Sequence, residues 1–327
     1  MRTNPADAAW SSDAQRRSVP AARAKAVASR WAGHPLFAEL REALNTADTM
    51  PAALAAAERF MDQTDDLHDL VAELIREASA DPFFLPPLTV IVTEISTGYL
   101  LFAHPGVTIS LGVISPDGLA AKKLAASGTT ATTFTGLVTS YRFLKSGGAT
   151  MSFWEAPAVG SDFSGDVARS CRFASRRRMV DGEALVIDGR CQSLVIEHLR
   201  SEMLCLQASV QVEAAPLSID YDSRTLRYLS ASSTDEASSR TQMMVTLLRC
   251  MDRTDALPAI EQALASPHFY TRWHVMREML ALDADAALPS LRRMAAADPH
   301  PEVRFAAIQA LSLFFDEENA EALLCRA

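Results

Sequence analysis

The chain has 327 residues, a formal net charge of −9 and 49% hydrophobic residues, a balance that supports buried cores and excludes wholesale disorder. The acidic charge argues against nucleic acid as a partner, because proteins that bind phosphates usually present a basic surface. Five scattered cysteines without a CxxC pair predict reduced, buried thiols and no bound metal or cofactor in a cytoplasmic protein; they are Cys171, Cys191, Cys205, Cys250 and Cys325.

The first 80 residues read as a tail followed by helices. Residues 1–33 are rich in Ala, Ser and Arg and lack the apolar core of a secretory signal, so we predict a flexible tail or a frayed helix. Residues 34–80 are predicted to be helical, with Thr49 as a cap before Pro51. One apolar helical stripe in this segment must be buried against a neighbour: Leu67, Leu70, Val71 and Leu74.

An uncharged stretch over residues 95–114 is long enough to suggest a membrane span. Pro105-Gly106 interrupts it, and β-branched residues flank that pair. Such a pattern favours two strands and a turn, so we predict no membrane span.

Residues 81–230 carry the signature of a β domain. Short runs of β-branched and aromatic residues alternate with turn signals, including Asp181-Gly182 and Asp188-Gly189. Apolar runs at 185–187 and 194–196 flank the second Asp-Gly pair, which predicts a hairpin there. We expect an antiparallel sandwich or barrel.

The segment Asp181-Gly-Glu-Ala-Leu-Val-Ile-Asp-Gly189 resembles a jelly-roll hairpin of the cupin family. Cupins usually hold a metal with a His-x-His pair and further ligands. This chain has no His-x-His, and its β region contains only His104 and His198. The resemblance therefore implies a metal-free cupin-like domain.

Residues 231–327 read as helix throughout. Ser233 and Glu236 have the spacing of a capping box, which predicts a helix start at Ser233. An apolar helical stripe follows, formed by Met244, Leu247, Leu248 and Met251.

Self-comparison reveals a repeat in this C-terminal part. Ser266-Pro267-His268 corresponds to Asp298-Pro299-His300, and Arg272-Trp273 to Arg304-Phe305, 32 residues later. Each unit is predicted to be a helix, a turn with proline and a second helix, and its apolar face requires a stacked neighbour.

The sequence from Asp298 to Leu311 resembles the second helix of a HEAT repeat, especially the short type related to phycobilin-lyase repeats. The resemblance implies a right-handed helical stack with a protein-binding role, and it does not imply lyase activity. The first copy departs from the pattern at Tyr270, Trp273 and His274. Only two repeats are clear, so the helix at 238–251, the segment 318–325 or the β domain is expected to cap them.

Six residues of the repeats are candidates for binding a partner, because Trp and Arg are enriched at interfaces: Arg272, Trp273, His274, Arg277, His300 and Arg304. Structural alternatives remain open. The two repeat arginines could tie one hairpin to the next through Asp298 or a carbonyl. His274 could form a relay or a solvated pair with Glu278, and His268 and His300 could share a metal or fill their own turns.

The β region offers a second set of polar candidates. Glu155 and Glu197-His198 could face a barrel interior and act as acids, or lie exposed on an edge strand. The run Arg176–Arg178 could bind an anion or be a solvated strand.

We therefore predict an α+β fold with N-terminal helices, a central antiparallel jelly-roll-like β domain and a C-terminal HEAT-like α-hairpin stack. The expected function is a non-catalytic interaction or scaffold protein that binds another protein through its repeats and β domain. The alternative is a cupin-like ligand-binding or enzymatic β-barrel with accessory repeats. Catalytic residues are not identified, and a homodimer through the β domain is a further possibility.

Overall fold

The computed structural model describes residues 14–125, 131–158 and 170–314. It has the predicted α+β order of N-terminal helices, a central antiparallel β region and C-terminal helices. Contacts divide the chain into two compact units. The first unit comprises Met1–Thr130, Leu137–Glu155 and Phe173–Ala214; the second unit comprises Ala131–Gly136, Ala156–Arg172 and Ala215–Ala327.

Four helices begin the first unit: α1 (Ala14–Ala32), α2 (Pro35–Asn45), α3 (Met50–Asp62) and α4 (Thr64–Ala80). The segment predicted as a tail or a frayed helix is helical over α1, where Val27 and Trp31 are buried in the core. Residues 1–13 lie outside the described residues. Thr49 occupies the cap position of α3 as predicted, although its side chain makes no capping hydrogen bond. Leu67, Leu70 and Leu74 of the predicted stripe are buried.

Twelve strands and one short helix follow in the described residues. The strands are β1 (Thr89–Val92), β2 (Ser96–His104), β3 (Val107–Ile114), β4 (Ala131–Phe134), β5 (Val138–Lys145), β6 (Thr150–Glu155), β7 (Arg172–Arg178), β8 (Ala184–Asp188), β9 (Gln192–His198), β10 (Met203–Val210), β11 (Leu217–Asp222) and β12 (Tyr228–Ser233). Helix α5 (Pro116–Ala125) follows β3.

The first unit contains a six-stranded sheet in the order β1-β2-β3-β10-β5-β8 and a three-stranded sheet in the order β7-β6-β9. The pairs of the six-stranded sheet and the β6–β9 pair are antiparallel. On β10, Leu206, Ala208 and Val210 pack in one core with residues of α1–α4. The neighbouring Met203 and Cys205 belong to a separate core that contains Met151 of β6. Strand alternation thus gives β10 two different faces.

The hairpin predicted at Asp188-Gly189 does not form. Strand β8 pairs with β5 in the six-stranded sheet, whereas β9 pairs with β6 in the other sheet. Gly189 N donates to Leu137 O, and Asp188 accepts hydrogen bonds from Arg190. This turn therefore carries the chain from one sheet to the other, as jelly-roll connections do.

The second unit combines a three-stranded sheet, in the order β12-β11-β4, with the C-terminal helices. The helices are α6 (Glu236–Cys250), α7 (Leu257–Gln262), α8 (Phe269–Leu282), α9 (Ala284–Ala297) and α10 (Pro301–Phe314). Met276 and Ile308, equivalent in the two repeats, are buried in a shared core with Leu291 of the intervening helix. The predicted stacking of apolar faces is present.

The predicted capping residue of α6 is wrong. The cap is Asp235, whose Oδ2 accepts a hydrogen bond of 2.7 Å from Ser238 N. Ser233 Oγ instead donates to the carbonyl of Asp235. The Ser-x-x-Glu spacing placed the helix start two residues too early. The carboxylate of Asp235 caps the helix at the position where it begins.

None of the helices in the described ranges combines the length and apolar character needed to cross a bilayer. The predicted domain limits at residues 33, 80 and 230 stay a prediction. The division of the chain by contacts is a different one, because it groups β4, β11 and β12 with the C-terminal helices. The cytoplasmic location also stays a prediction. The predicted cap at 318–325 and Cys325 lie outside the described residues.

Candidate functional site

Helix α6 and the residue that follows it, Met251, carry an apolar stripe that faces outward. Met243, Met244, Leu247 and Met251 are between 55% and 72% exposed, while Val245 on the opposite side is buried. Three of these four residues, Met244, Leu247 and Met251, belong to the apolar helical stripe that the sequence predicted. A helix with one buried and one exposed apolar side has a surface available for a partner.

Three residues of this stripe, Met243, Met244 and Leu247, line one wall of a groove within the second unit, which we call the α6 groove. The groove has a volume of about 1000 Å³ and is also lined by residues of β12, α8 and α10. The residues that define it best are Met243, Met244, Leu247, Cys250, Tyr270 and His274. Glu302 is the sole Asp, Glu, Lys or Arg among the described lining residues, so the groove suits an apolar segment.

Polar contacts fix α6 against α8 and thereby hold the wall of the groove. Thr246 Oγ1 lies 2.9 Å from His274 Nε2, and Gln242 Nε2 donates to Thr271 Oγ1 over 3.2 Å. Arg249 forms an ion pair with Glu278 one turn further along. These contacts lie beside the exposed stripe, so a partner can bind without breaking them.

Among the six predicted partner-binding residues, Arg272 is enclosed. Its Nε and Nη2 donate to the two oxygens of Asp298 over 2.8 and 2.6 Å, and its Nη1 donates to the carbonyls of Ser266 and Pro267. Arg304 makes the equivalent of the carbonyl contacts, because its Nη1 donates to the carbonyls of Asp298 and Pro299. Both arginines hold the inter-helix turns together, as the structural alternative proposed.

His300 is also buried. Its ring stacks on Phe269 with centroids 4.0 Å apart and planes 9° apart, and neither ring nitrogen has a hydrogen-bond partner among the described residues. His268 stacks instead on Tyr270 and lies 3.8 Å from an oxygen of Asp235. His300 therefore packs against the preceding repeat, whereas His268 packs against the helix that follows its own turn.

The other predicted residues lie nearer the surface. Arg277 is exposed, and Trp273 and His274 are half-buried. His274 Nε2 is 3.8 Å from Glu278 Oε1, but His274 also contacts Thr246 and lines the α6 groove. The groove thus contains one of the six predicted residues, and a partner-binding role for all six stays a prediction. The methionines of the groove were missed, because a stripe pattern does not reveal which stripe is covered.

The first unit contains a different kind of site, a cavity of about 420 Å³ between its two sheets. Its lining combines small polar side chains with apolar ones, including Ser110, Tyr141, Phe143, Met151 and Gln207. The polar candidates of the β region lie elsewhere. Neither His104, which is 3.4 Å from an oxygen of Asn45, nor the exposed His198 lines this cavity.

The remaining charged candidates are surface features. Arg176, Arg177 and Arg178 lie on the exposed strand β7, where Arg176 pairs with Glu197 over 2.7 Å. Among the described residues, no group of three or more His, Cys, Asp or Glu side chains could hold a metal ion. Glu155, the last residue of β6, is likewise absent from the described cavity lining.

Comparison with known proteins gives one family match. Residues 228–324 match the family of HEAT repeats, which confirms the HEAT resemblance for this part of the chain. Within the described residues, the match includes β12 and the helices α6 to α10. No match to a curated protein was found.

Solved structures similar to the chain include cupins. Ectoine synthase from P. lautus is 14% identical with a TM-score of 0.23, covering 45% of this chain and 85% of that one. A cupin domain from Bordetella pertussis Tohama I is 8% identical at a TM-score of 0.22, covering 37% and 98%. The polyketide cyclase RemF from Streptomyces resistomycificus is 11% identical at 0.24, covering 45% and 80%. At these TM-scores the similarity supports no statement about activity.

Proposed function

We propose that the chain is a non-catalytic protein-binding module whose α6 groove receives an amphipathic helix of a partner protein. The observation that carries the proposal is the outward stripe of Met243, Met244, Leu247 and Met251 beside a groove of about 1000 Å³. A contiguous exposed apolar surface of this kind is typical of interaction sites. The match of residues 228–324 to HEAT repeats supports the same reading.

The composition of the groove favours a helix as the occupant. The side chains of Met243, Met244 and Leu247 on α6 line the groove and can receive partner residues spaced three and four apart. Methionine adapts its shape to different apolar surfaces, which suits a helix-in-groove interface. Glu302 is exposed at the groove, so the partner helix is expected to place a basic residue against it.

The six repeat residues have two kinds of role in this proposal. Arg272, His300 and Arg304 stabilise the turns that set the positions of α8 and α10. His274, which lines the groove, contacts the partner directly, whereas Arg277 and Trp273 lie on the same helix outside the described lining. Binding through the β domain is not required for the groove to act.

The test is quantitative capture of proteins from the source organism by three tagged proteins: the wild type, Leu247→Glu and Ile75→Glu. Ile75 is 60% exposed on α4, close to the 58% of Leu247 on α6, so the control places the same charge on another apolar helical surface. We expect a stoichiometric partner that wild type and Ile75→Glu retain and Leu247→Glu loses. Equal retention of the partner by all three proteins would reject the α6 groove as its binding site.

A truncation distinguishes an intramolecular occupant. The chain ending at Phe314 is expected to bind the same partner with unchanged affinity. A gain of partner binding on truncation would show that residues 315–327 occupy the groove, which would contradict the proposal. Circular dichroism must show equal helix content in the full-length proteins compared.

A further inference from the structure

The cavity of the first unit has a graded polarity along β10. Successive inward residues of this strand are Met203, Cys205, Gln207 and Ser209, all of which line the cavity. The alternate residues Leu206, Ala208 and Val210 are buried in the core shared with α1–α4. Because residues two apart lie on one face of a strand, the inward face changes from apolar to polar over about 20 Å.

Neighbouring strands continue both ends of this gradient. At the polar end, Gln207 is in register with Ser110 of β3, and Ser209 with Thr108. Gln207 Nε2 donates to Ser209 Oγ over 3.2 Å, so the carboxamide is held among hydroxyl groups. At the apolar end, Cys205 is in register with Phe143 of β5, and both belong to a core with Met151 of β6.

Formal charge is absent from this cavity. Among the described residues that line it, none is Asp, Glu, His, Lys or Arg. The two ionisable groups, Tyr141 and Cys205, are both held neutral at pH 7. Burial raises the pKa of Cys205 to about 12, and burial together with the nearby Cys205 raises the pKa of Tyr141. Such surroundings disfavour any charged group that is not paired.

From this geometry we propose that the cavity binds a small neutral molecule with an apolar body and one hydroxyl or amide group, which contacts Ser110 and Gln207. The volume of about 420 Å³ falls within the usual range for small-molecule sites, about 300–1,000 Å³. The apolar body lies against Phe143, Met151 and Met203. This site is independent of the α6 groove.

Gly112 provides a way to fill the cavity without disturbing its walls. It lies on β3 between the inward residues Ser110 and Ile114, and an added Cβ would meet no atom nearer than 3.9 Å. Gly112→Leu therefore places a side chain in the cavity. Ala184→Leu is the matched control, because Ala184 is exposed on β8 of the same sheet.

The experiment measures calorimetric binding of three probes of equal ring size at pH 7: 2-naphthol, 2-naphthoate and 2-naphthylmethylammonium. We expect saturable binding of 2-naphthol and at least about tenfold weaker binding of both ions, since the cavity offers no countercharge. Gly112→Leu is expected to weaken 2-naphthol binding at least about tenfold, whereas Ala184→Leu leaves it unchanged. If Gly112→Leu fails to fold, Gly112→Ala is expected to weaken binding by a smaller factor.

A second variant tests whether Gln207, at the polar end of the cavity, contacts the hydroxyl group of the ligand. Gln207→Leu is expected to weaken 2-naphthol binding about tenfold and to leave naphthalene binding unchanged or stronger. Leu247→Glu in the α6 groove is expected to bind 2-naphthol like the wild type, which separates this site from the proposed function. Lack of saturable 2-naphthol binding, equal binding of 2-naphthoate, or full binding by folded Gly112→Leu would overturn the proposal.

Discussion

Arg272 and Asp298 form a bidentate ion pair that links the second helix of one repeat to the turn of the next repeat. Their paired atoms lie 2.6 and 2.8 Å apart, and both residues are more than nine-tenths buried. Asp298 Oδ1 also accepts a hydrogen bond of 2.8 Å from His300 N. The pair therefore fixes two turns at once, and its loss is expected to loosen the whole stack.

Arg272→Ala is expected to lower the free energy of unfolding by about 3–5 kcal/mol, because it leaves the carboxylate of Asp298 buried without its partner. Arg304→Ala is the matched control at the equivalent repeat position. It is expected to cost about 1 kcal/mol, since Arg304 is more exposed and its described contacts are with carbonyl groups. Urea unfolding followed by circular dichroism measures both, and equal losses would contradict the assigned role of the pair.

The cysteines are expected to differ widely in reactivity. Cys205 is buried with a pKa raised to about 12, and burial also raises the pKa of Cys171, whereas Cys250 is exposed in the α6 groove. At pH 7.5 iodoacetamide is expected to alkylate Cys250 at least about a hundredfold faster than Cys205. Peptide mass spectrometry measures the two rates. Comparable rates would show that Cys205 is accessible in the folded protein.

The cap of α6 is expected to make stability depend on pH. Hydrogen bonds from Ser238, through its side chain and its backbone N–H, lower the pKa of Asp235 below its ordinary value of 3.8. A lowered pKa stabilises the folded state above the unfolded value, and this stabilisation is lost as the pH falls through the folded value. Asp235→Ala is expected to cost about 1 kcal/mol at pH 7 and less below about pH 4.

Asp235→Asn is the control for that experiment, because asparagine keeps a capping oxygen without the carboxylate charge. Its stability is expected to lie nearer the wild type at pH 7 and to depend less on pH. Thermal unfolding between pH 3 and pH 7 measures all three proteins. If the difference in stability between wild type and Asp235→Ala increased as the pH falls, the result would contradict the prediction.

The edge of the six-stranded sheet is the place where a homodimer is expected. Strand β1 is at the end of the sheet order, and its Val90 and Val92 are 55% and 70% exposed. Uncovered apolar edges pair readily with another strand, and lysine prevents this. We expect light scattering to detect dimers of the wild type that Val90→Lys/Val92→Lys lacks; a wild type that stays monomeric at high concentration would reject this interface.

Local patterns predicted the elements of this fold well where one short segment decides the outcome. The recurrence of Pro267 at Pro299 and of Arg272 at Arg304 identified the helical repeat, because each copy shows the same spacing of apolar residues. Met276 and Ile308 are buried as that spacing requires. The tie between Arg272 and Asp298 was also among the alternatives from sequence.

Features that depend on distant segments were not predictable in the same way. An Asp188-Gly189 turn shows that the chain reverses, but not that β8 and β9 enter different sheets. Likewise, the spacing of Met244 and Leu247 shows a helical face, but not whether another element covers it. The cavity beside Gln207 depends on the spacing between two sheets, which no single strand encodes.

The most direct measurement places a photo-activated crosslinking amino acid at Met244, with a second protein carrying it at Ile75, and maps the products by mass spectrometry. The α6 groove is expected to give one dominant product at Met244, joined to an apolar residue of a helical segment in a different protein, and no such product from Ile75. Products at Met244 that join to residues of this same chain, or identical products from both positions, would contradict partner binding by the groove.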